Sequence, residues 1–252
     1  MSAGPLLVGR AAQVAPLGTI LGVWAHPDDE TFLSSGLMAL ARRAGHEVVC
    51  VTATRGEHGT DDPSTWPPDR LARTRDLEVR AAMAVLGVDD HRGFDYEDGT
   101  LADVPRSEGV ERVAELLADV RPDTIVTFGP EGMTGHDDHR TVSSWVTEAW
   151  RSRGSASRLL YATTTDEFAD EFADIHAAIG VFGPGLPCRL PRHRLALEVE
   201  LDEELLDVKL AALRAHATQV PQLLTAVGED RFRVWWRRES FVAPAVASPW
   251  QG

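Results

Sequence analysis

A doubly wound, mostly parallel α/β sheet with helices on both faces is the fold class this sequence predicts, and three observations predict it. Two apolar runs, residues 20–25 and 124–128, each lead into a turn rich in histidine and acidic residues. Strand-like and helix-like segments alternate from residue 19 to residue 164, the pattern of a parallel sheet covered by its own crossovers. The first of these segments, strand 19–25, helix 31–44 and strand 47–53, make a βαβ unit, which requires a parallel pair with a right-handed connection.

Residues 1–18 are small and proline-bearing and read as an arm. Strand 19–25 stops near Pro27, which has no amide hydrogen to give a sheet ladder. In helix 31–44 the residues Phe32, Leu33, Leu37, Leu40 and Ala41 fall at helical spacing, and Gly45 stops it. Strand 47–53 runs into Thr54, Arg55, Gly56, Glu57 and His58, and residues 60–68 form a polar loop long enough to be a flap. A helix over 69–86 ends at Gly87, a short strand over 91–94 leads to another polar end at 95–99, and 106–119 is helical. Strand 123–128 ends in the second histidine turn, and helix 140–151 and strand 158–164 follow. Further on, 166–179 is helical, 181–191 is a Gly/Pro-rich excursion, and 194–201 alternates like a strand that pairs antiparallel at an edge. Asp202 caps a last clear helix, 203–217. No linker or internal repeat divides the chain, so 1–252 reads as one domain.

The chain has 252 residues, 43% of them hydrophobic and 25% charged, enough for a sizeable core without covalent staples. Cys50 and Cys188 form neither a disulfide framework nor a metal-binding pair, which fits a reducing cytoplasm. A net charge of −14 argues against nucleic acid or an anionic membrane as partner. The one basic cluster, Arg231, Arg233, Arg237 and Arg238, is mixed with Trp235 and Trp236 and reads as a solvated face. No signal peptide or membrane span is evident.

Three of the nine histidines sit in the two turns. The first turn reads Ala25-His26-Pro27-Asp28-Asp29-Glu30; the second contains His136, Asp137, Asp138 and His139. Ligands of open α/β sheets bind at strand carboxyl ends, and a neutral imidazole beside hard carboxylate oxygens is what zinc or a similar cation needs. Taken singly, His26 reads as a turn histidine and Asp28 and Asp29 as helix-capping acids. Their joint occurrence at two strand ends favours a metal.

These two turns resemble the signatures of the LmbE/PIG-L family of zinc-dependent N-deacetylases, an Ala-His-Pro-Asp-Asp-Glu turn and a later His-x-x-His turn. The resemblance extends weakly over residues 19–243 and implies a Rossmann-like sheet. It assigns His26, Asp29 and His139 as metal ligands, Asp28 as general base and His136 as the group that stabilises or protonates the leaving side. By the same resemblance Glu57, Arg75 and Asp98 would meet sugar hydroxyls or a nearby anion, while Glu30, Asp138 (towards His136) and His216 would orient the inner residues. Arg75 and Glu78 also read as an ordinary helix-surface pair. One departure stands out: Thr134 occupies a place where some members have an oxyanion-side tyrosine. Arg237 to Phe241 resembles the family's terminal strand.

The implied activity is removal of an N-acetyl or related acyl group from an aminosugar conjugate such as an N-acetylglucosamine conjugate, with Zn2+ as cofactor and Fe2+ allowed by the donor set. The implied partner is a small molecule, and homo-oligomerisation stays open. A mycothiol S-conjugate amidase uses the same site and is an alternative. A nucleotide-binding oxidoreductase fits badly, because the first strand ends in His-Pro-Asp-Asp and not in a glycine-rich phosphate turn. A non-catalytic metal-binding protein would have no use for Asp28. The alanine- and arginine-rich, lysine-poor composition points to a high-GC, actinobacterial source.

Overall fold

The computed structural model describes residues 6–10, 13–154 and 156–244. Its strands are β1 (Leu6–Val8), β2 (Ile20–Trp24), β3 (Val48–Thr54), β4 (Asp90–Tyr96), β5 (Thr124–Phe128), β6 (Arg158–Thr163), β7 (Leu197–Glu200) and β8 (Arg238–Val242). They form one sheet in the order β1-β7-β8-β6-β5-β2-β3-β4. Pairing is parallel from β4 across to β6 and between β1 and β7; β8 runs antiparallel to both β6 and β7. The doubly wound class and the antiparallel pairing near the C-terminal edge are both as expected.

The helices are α1 (Asp29–Arg43), α2 (Pro68–Leu86), α3 (Arg106–Val120), α4 (Asp137–Ser152), α5 (Asp166–Glu171), α6 (Ala173–Ile179), α7 (Glu203–Ala215), α8 (Val220–Val227) and α9 (Glu229–Trp235). Helices α1, α2 and α7 pack on one another, and α3 packs on α4. Every residue of β2, β3 and β5 is buried, as parallel strands covered on both faces require. The rings of Trp24 and Phe128 meet edge-on at 5.0 Å in the middle of this core. No helix among the described residues is long and apolar enough to cross a membrane.

The chain moves outward from β2 to β3 and β4, then returns to the other side of β2 to lay down β5 and β6. The carboxyl ends of β2 and β5 therefore flank a topological switch point, where a crevice opens above an open sheet.

Several boundaries differ from those expected. Within the stretch expected as an arm, Leu6–Val8 pairs with β7, Leu6 opposite Leu197; three residues are too few to show a period. Ala15–Leu17 is a short 3-10 turn with Val14 and Leu17 buried, so this part is packed rather than an arm, and residues 1–5 and 11–12 lie outside the described residues. Helix α4 begins at Asp137, three residues early, so His139 is helical. Residues 166–179 are two helices interrupted at Phe172, and α7 stops at Ala215 with His216 as its C-cap.

Helix α1 carries an insertion from the far end of the chain. Glu239 accepts the amides of Gly36 at 2.7 Å and Leu37 at 2.9 Å, while Lys209 Nζ donates to the Phe32 carbonyl at 2.8 Å and to Glu239 at 2.7 Å. In a regular helix the amides of Gly36 and Leu37 would belong to the carbonyls of residues 32 and 33. The Lys209–Glu239 pair is fully buried within the second turn of α1.

Candidate active site

Two turns meet at the switch point. The first, residues 25–28, bends sharply enough to place Asp28 at φ 108°, in a region L-residues rarely adopt. Asp28 is the N-cap of α1, yet its carboxylate makes no cap hydrogen bond. Arg75 Nη2 holds it instead, at 3.1 Å, while other guanidinium hydrogens go to the carbonyls of Pro27 and Gly56. A side chain at Gly56 would stand 2.2 Å from Arg75 Nη1, so only glycine lets the guanidinium through. Asp29 pins the turn by accepting the His26 amide at 2.8 Å.

In the second turn His136 replaces the usual short polar side chain as N-cap of α4, its Nδ1 accepting the Asp138 amide at 3.1 Å. A backbone amide can only donate, so Nδ1 is bare and the neutral ring carries its proton on Nε2. His139 has the opposite arrangement. Its Nδ1 lies 2.9 Å from the Gly132 carbonyl, which can only accept, so Nε2 is bare. Phe128 stacks on this ring at 4.1 Å and 11° and fixes its plane.

His26 lies between the turns. Its Nε2 faces Asp98 at 3.0 Å and Asp138 at 3.2 Å, two acceptors that hold the ring proton on that side. Its Nδ1 then points bare towards His139 Nε2, 3.1 Å away, and Asp29 Oδ2, 3.4 Å away; Asp29 Oδ1 is 3.4 Å from His139 Nε2. Ligands at about 2.0–2.1 Å from a tetrahedral cation stand about 3.3–3.4 Å from one another. The three residues bring together the donor types of a divalent-cation site, Asp29 meeting each imidazole through a different oxygen, with carboxylates behind one imidazole as metal centres generally have. His136 also brings a nitrogen within 4.8 Å of those of His26 and His139, and His26, Asp98 and Asp138 form a second such group.

The charges agree. Burial works against a charged His26 imidazole, but Asp138, Asp29 and Asp98 raise it well above its ordinary pKa. Burial would also raise Asp29, yet His139 and His26 outweigh it and hold the carboxyl at about 2. Asp28 goes the other way: burial, opposed by Arg75, pushes it up to about 6. A crevice that attracts positive charge this strongly suits a divalent cation.

The supporting residues are placed less simply than the sequence suggests. The Asp138 carboxylate meets His26 and accepts the amides of Gly99 and Leu101, and not the imidazole of His136. Glu57 accepts the Asp98 amide at 3.1 Å instead of facing the crevice. Asp98 lines the crevice, but its carboxylate is engaged by His26 and the His58 amide. Arg75 lines it too, with its side chain only 4% exposed and directed at Asp28. Glu78 is not its surface partner but accepts two hydrogen bonds from Thr218, so both residues are buried. Glu30 accepts the Asp28 amide at 3.0 Å and lies 3.3 Å from His216 Nε2, which also meets Thr31 Oγ1 at 3.1 Å. Thr134 Oγ1 sits 3.3 Å from His139 Nδ1, on the back of that ring.

The crevice opens into a cavity of about 690 Å³. Its outer wall, including Phe168, Phe182, Trp235 and Trp236, was not legible in the sequence. These side chains come from short helices and from the 181–191 excursion, where no period marks an inward face.

A family model described as GlcNAc-PI de-N-acetylase, PIG-L, matches residues 21–150. A 1D-myo-inositol 2-acetamido-2-deoxy-alpha-D-glucopyranoside deacetylase of Kineococcus radiotolerans is 34% identical over 251 residues, covering 80% of this chain and 68% of its own. Among solved structures, the N,N'-diacetylchitobiose deacetylase of Pyrococcus horikoshii superposes with a TM-score of 0.60 at 23% identity, over 88% of this chain and 82% of that one. A 4-carboxy-2-hydroxymuconate hydratase of Pseudomonas putida KT2440 reaches the same TM-score of 0.60 at 17% identity, over 93% of this chain and 100% of that one. Likeness of fold at this level fixes the architecture and not the reaction.

Proposed function

The chain belongs to the PIG-L family of GlcNAc-PI de-N-acetylases, and from that footing we propose that it hydrolyses the N-acetyl group of a small aminosugar conjugate, with His26, Asp29 and His139 holding a divalent cation. Zinc suits two imidazoles and one carboxylate, and iron(II) accepts the same donors. When bound, such a cation supplies Lewis-acid chemistry, polarising an amide carbonyl and making water acidic near neutral pH.

The chain's own groups do the rest. Asp28 takes no part in capping, and with its pKa pushed up to about 6 it is suited to accept the proton of the attacking water and return it to the departing amine. Arg75 aims its carboxylate. His136, with its proton held on Nε2, donates towards the carbonyl oxygen as negative charge builds there. Two lone cysteines suit a reducing compartment, and we place the reaction in the cytoplasm.

The observation that carries this reading is the pair of imidazole nitrogens facing each other 3.1 Å apart with Asp29 spanning both. The test is metal content together with amine release from N-acetylglucosamine conjugates. His26→Ala and His139→Ala should lose both. His136→Ala should keep its metal and lose about 10²–10³ in kcat, the usual effect of removing one oxyanion donor. Unchanged metal in the first two variants would refute the ligand set.

A further inference from the structure

A second cavity lies at the β4 edge of the sheet, against helix α2, and shares no lining residue with the crevice. The chain builds it by departing from regular sheet. The register of β4 on β3 shifts between Thr52 and Thr54, Asp95 takes φ 59°, and Gly93, opposite Thr52, has no side chain to fill the space. Bulges and non-glycine residues at positive φ gather at functional sites. The space measures about 160 Å³, and every side chain on its wall is polar where a sheet–helix layer is ordinarily apolar.

The polar groups of that wall are unevenly spent. Thr54 Oγ1 donates to the Ala25 carbonyl and accepts the Gly56 amide, and Thr52 Oγ1 meets His91 Nε2 at 3.2 Å. Burial holds the His91 imidazole below its ordinary pKa, so the ring is neutral. Arg55 gives Nε and Nη2 to Asp95 at 3.0 and 2.8 Å. Its Nη1 stands 3.6 Å from Asp76, too far for a hydrogen bond. Arg80 makes no hydrogen bond or ion pair among the described residues. Two guanidinium groups therefore keep unused donors, and Asp76 keeps unused acceptor oxygens. A metal cation would face two fixed positive charges, and a fully deprotonated oxyanion would face the Asp76 carboxylate. An oxyanion that retains a proton satisfies both sides: its oxygens accept from arginine and its hydroxyl donates to Asp76.

We propose that this cavity binds hydrogen phosphate, with Arg80 and Arg55 donating to its charged oxygens and Asp76 accepting its P–OH hydrogen. The site stands apart from the deacetylase reading and does not need it. Inorganic phosphate and phosphomonoesters share the oxyanion, but the proton separates them. At pH 8 inorganic phosphate still carries one, whereas a monoester, with a second pKa of about 6, has lost it. Sulfate has the same shape and no proton at all.

Calorimetry on the metal-loaded full chain at pH 8 compares inorganic phosphate, sulfate and methyl phosphate. Phosphate should bind about tenfold tighter or more than either of the others, the effect of one charge-assisted hydrogen bond gained and one repulsion avoided. Arg80→Ala, at an exposed position, should weaken phosphate about tenfold or more, with melting temperature and metal content measured to show an intact fold. Asp76→Asn puts a donor where the acceptor stood, and sulfate should then bind as well as phosphate. His139→Ala should leave phosphate binding unchanged. Equal binding of the three anions, or phosphate binding that Arg80→Ala does not weaken, overturns the proposal. Loss of phosphate binding in His139→Ala would place the anion in the crevice and overturn it as well.

Discussion

Asp28 holds a backbone conformation that costs a non-glycine residue about 1–3 kcal/mol, and it spends that strain on turning its carboxylate away from the helix it begins. Asp28→Asn keeps the shape and removes the base. We expect kcat to fall about 10²–10⁴-fold with metal content unchanged, read by amine release and metal analysis on the same preparation. Asp138→Asn weakens the acceptor behind His26 while leaving the cation's donors intact. Metal affinity should drop about 10–100-fold in a chelator competition, with the fold preserved. At this scale the sequence was informative about residue type and poor about direction. The two turns were recognisable because histidine and aspartate crowd two strand ends, while the choice of His26, Asp29 and His139 within them came from the family resemblance. That Glu57 turns to a backbone amide, or that Asp138 serves His26 and not His136, depends on loop geometry that no periodicity encodes.

Among the elements, α4 was misjudged at its start for a physical reason. Its N-cap is a histidine, and the short polar residues that usually announce a helix are absent from that position. The α1, α2, β2, β3, β5 and β6 segments were legible because each carries an apolar pattern closed by glycine, proline or a polar turn, whereas β4 shows only a short apolar stretch. Helices α8 and α9 have 8 and 7 residues and offer too few turns to show a face. The element with most at stake is α1, whose second turn is completed by Glu239 and Lys209. Glu239→Gln leaves a buried ammonium facing a neutral amide. We expect it to destabilise the protein by about 3–5 kcal/mol, or about 6–20 °C in melting temperature, whereas Lys209→Met with Glu239→Gln together should cost less.

For the whole molecule, the parallel sheet and its crevice follow from the order of apolar runs, and the switch point falls where the histidine turns had placed it. Two groups of helices cover a sheet whose central strands are wholly buried, so the fold should not depend on a cation. Stripping a bound metal should leave the far-UV circular dichroism unchanged and lower the folding stability only by the amount that ligand binding adds, about 3–4 kcal/mol at 100–1,000 times the dissociation constant. Collapse of the circular dichroism on metal removal would contradict this.

The reach of Glu239 back to residues 36 and 37, 203 positions earlier in the chain at its longest, has a consequence for biosynthesis. During translation the two histidine turns emerge well before the last strand, but the Glu239 carboxylate that accepts the Gly36 and Leu37 amides is absent until residue 239 has cleared the ribosome. A nascent chain halted before that point carries all three proposed ligands but lacks the Glu239 brace on the helix that carries one of them. The centre is encoded early and finished late, so a chain shortened ahead of β8 should come off the ribosome without a properly formed catalytic crevice.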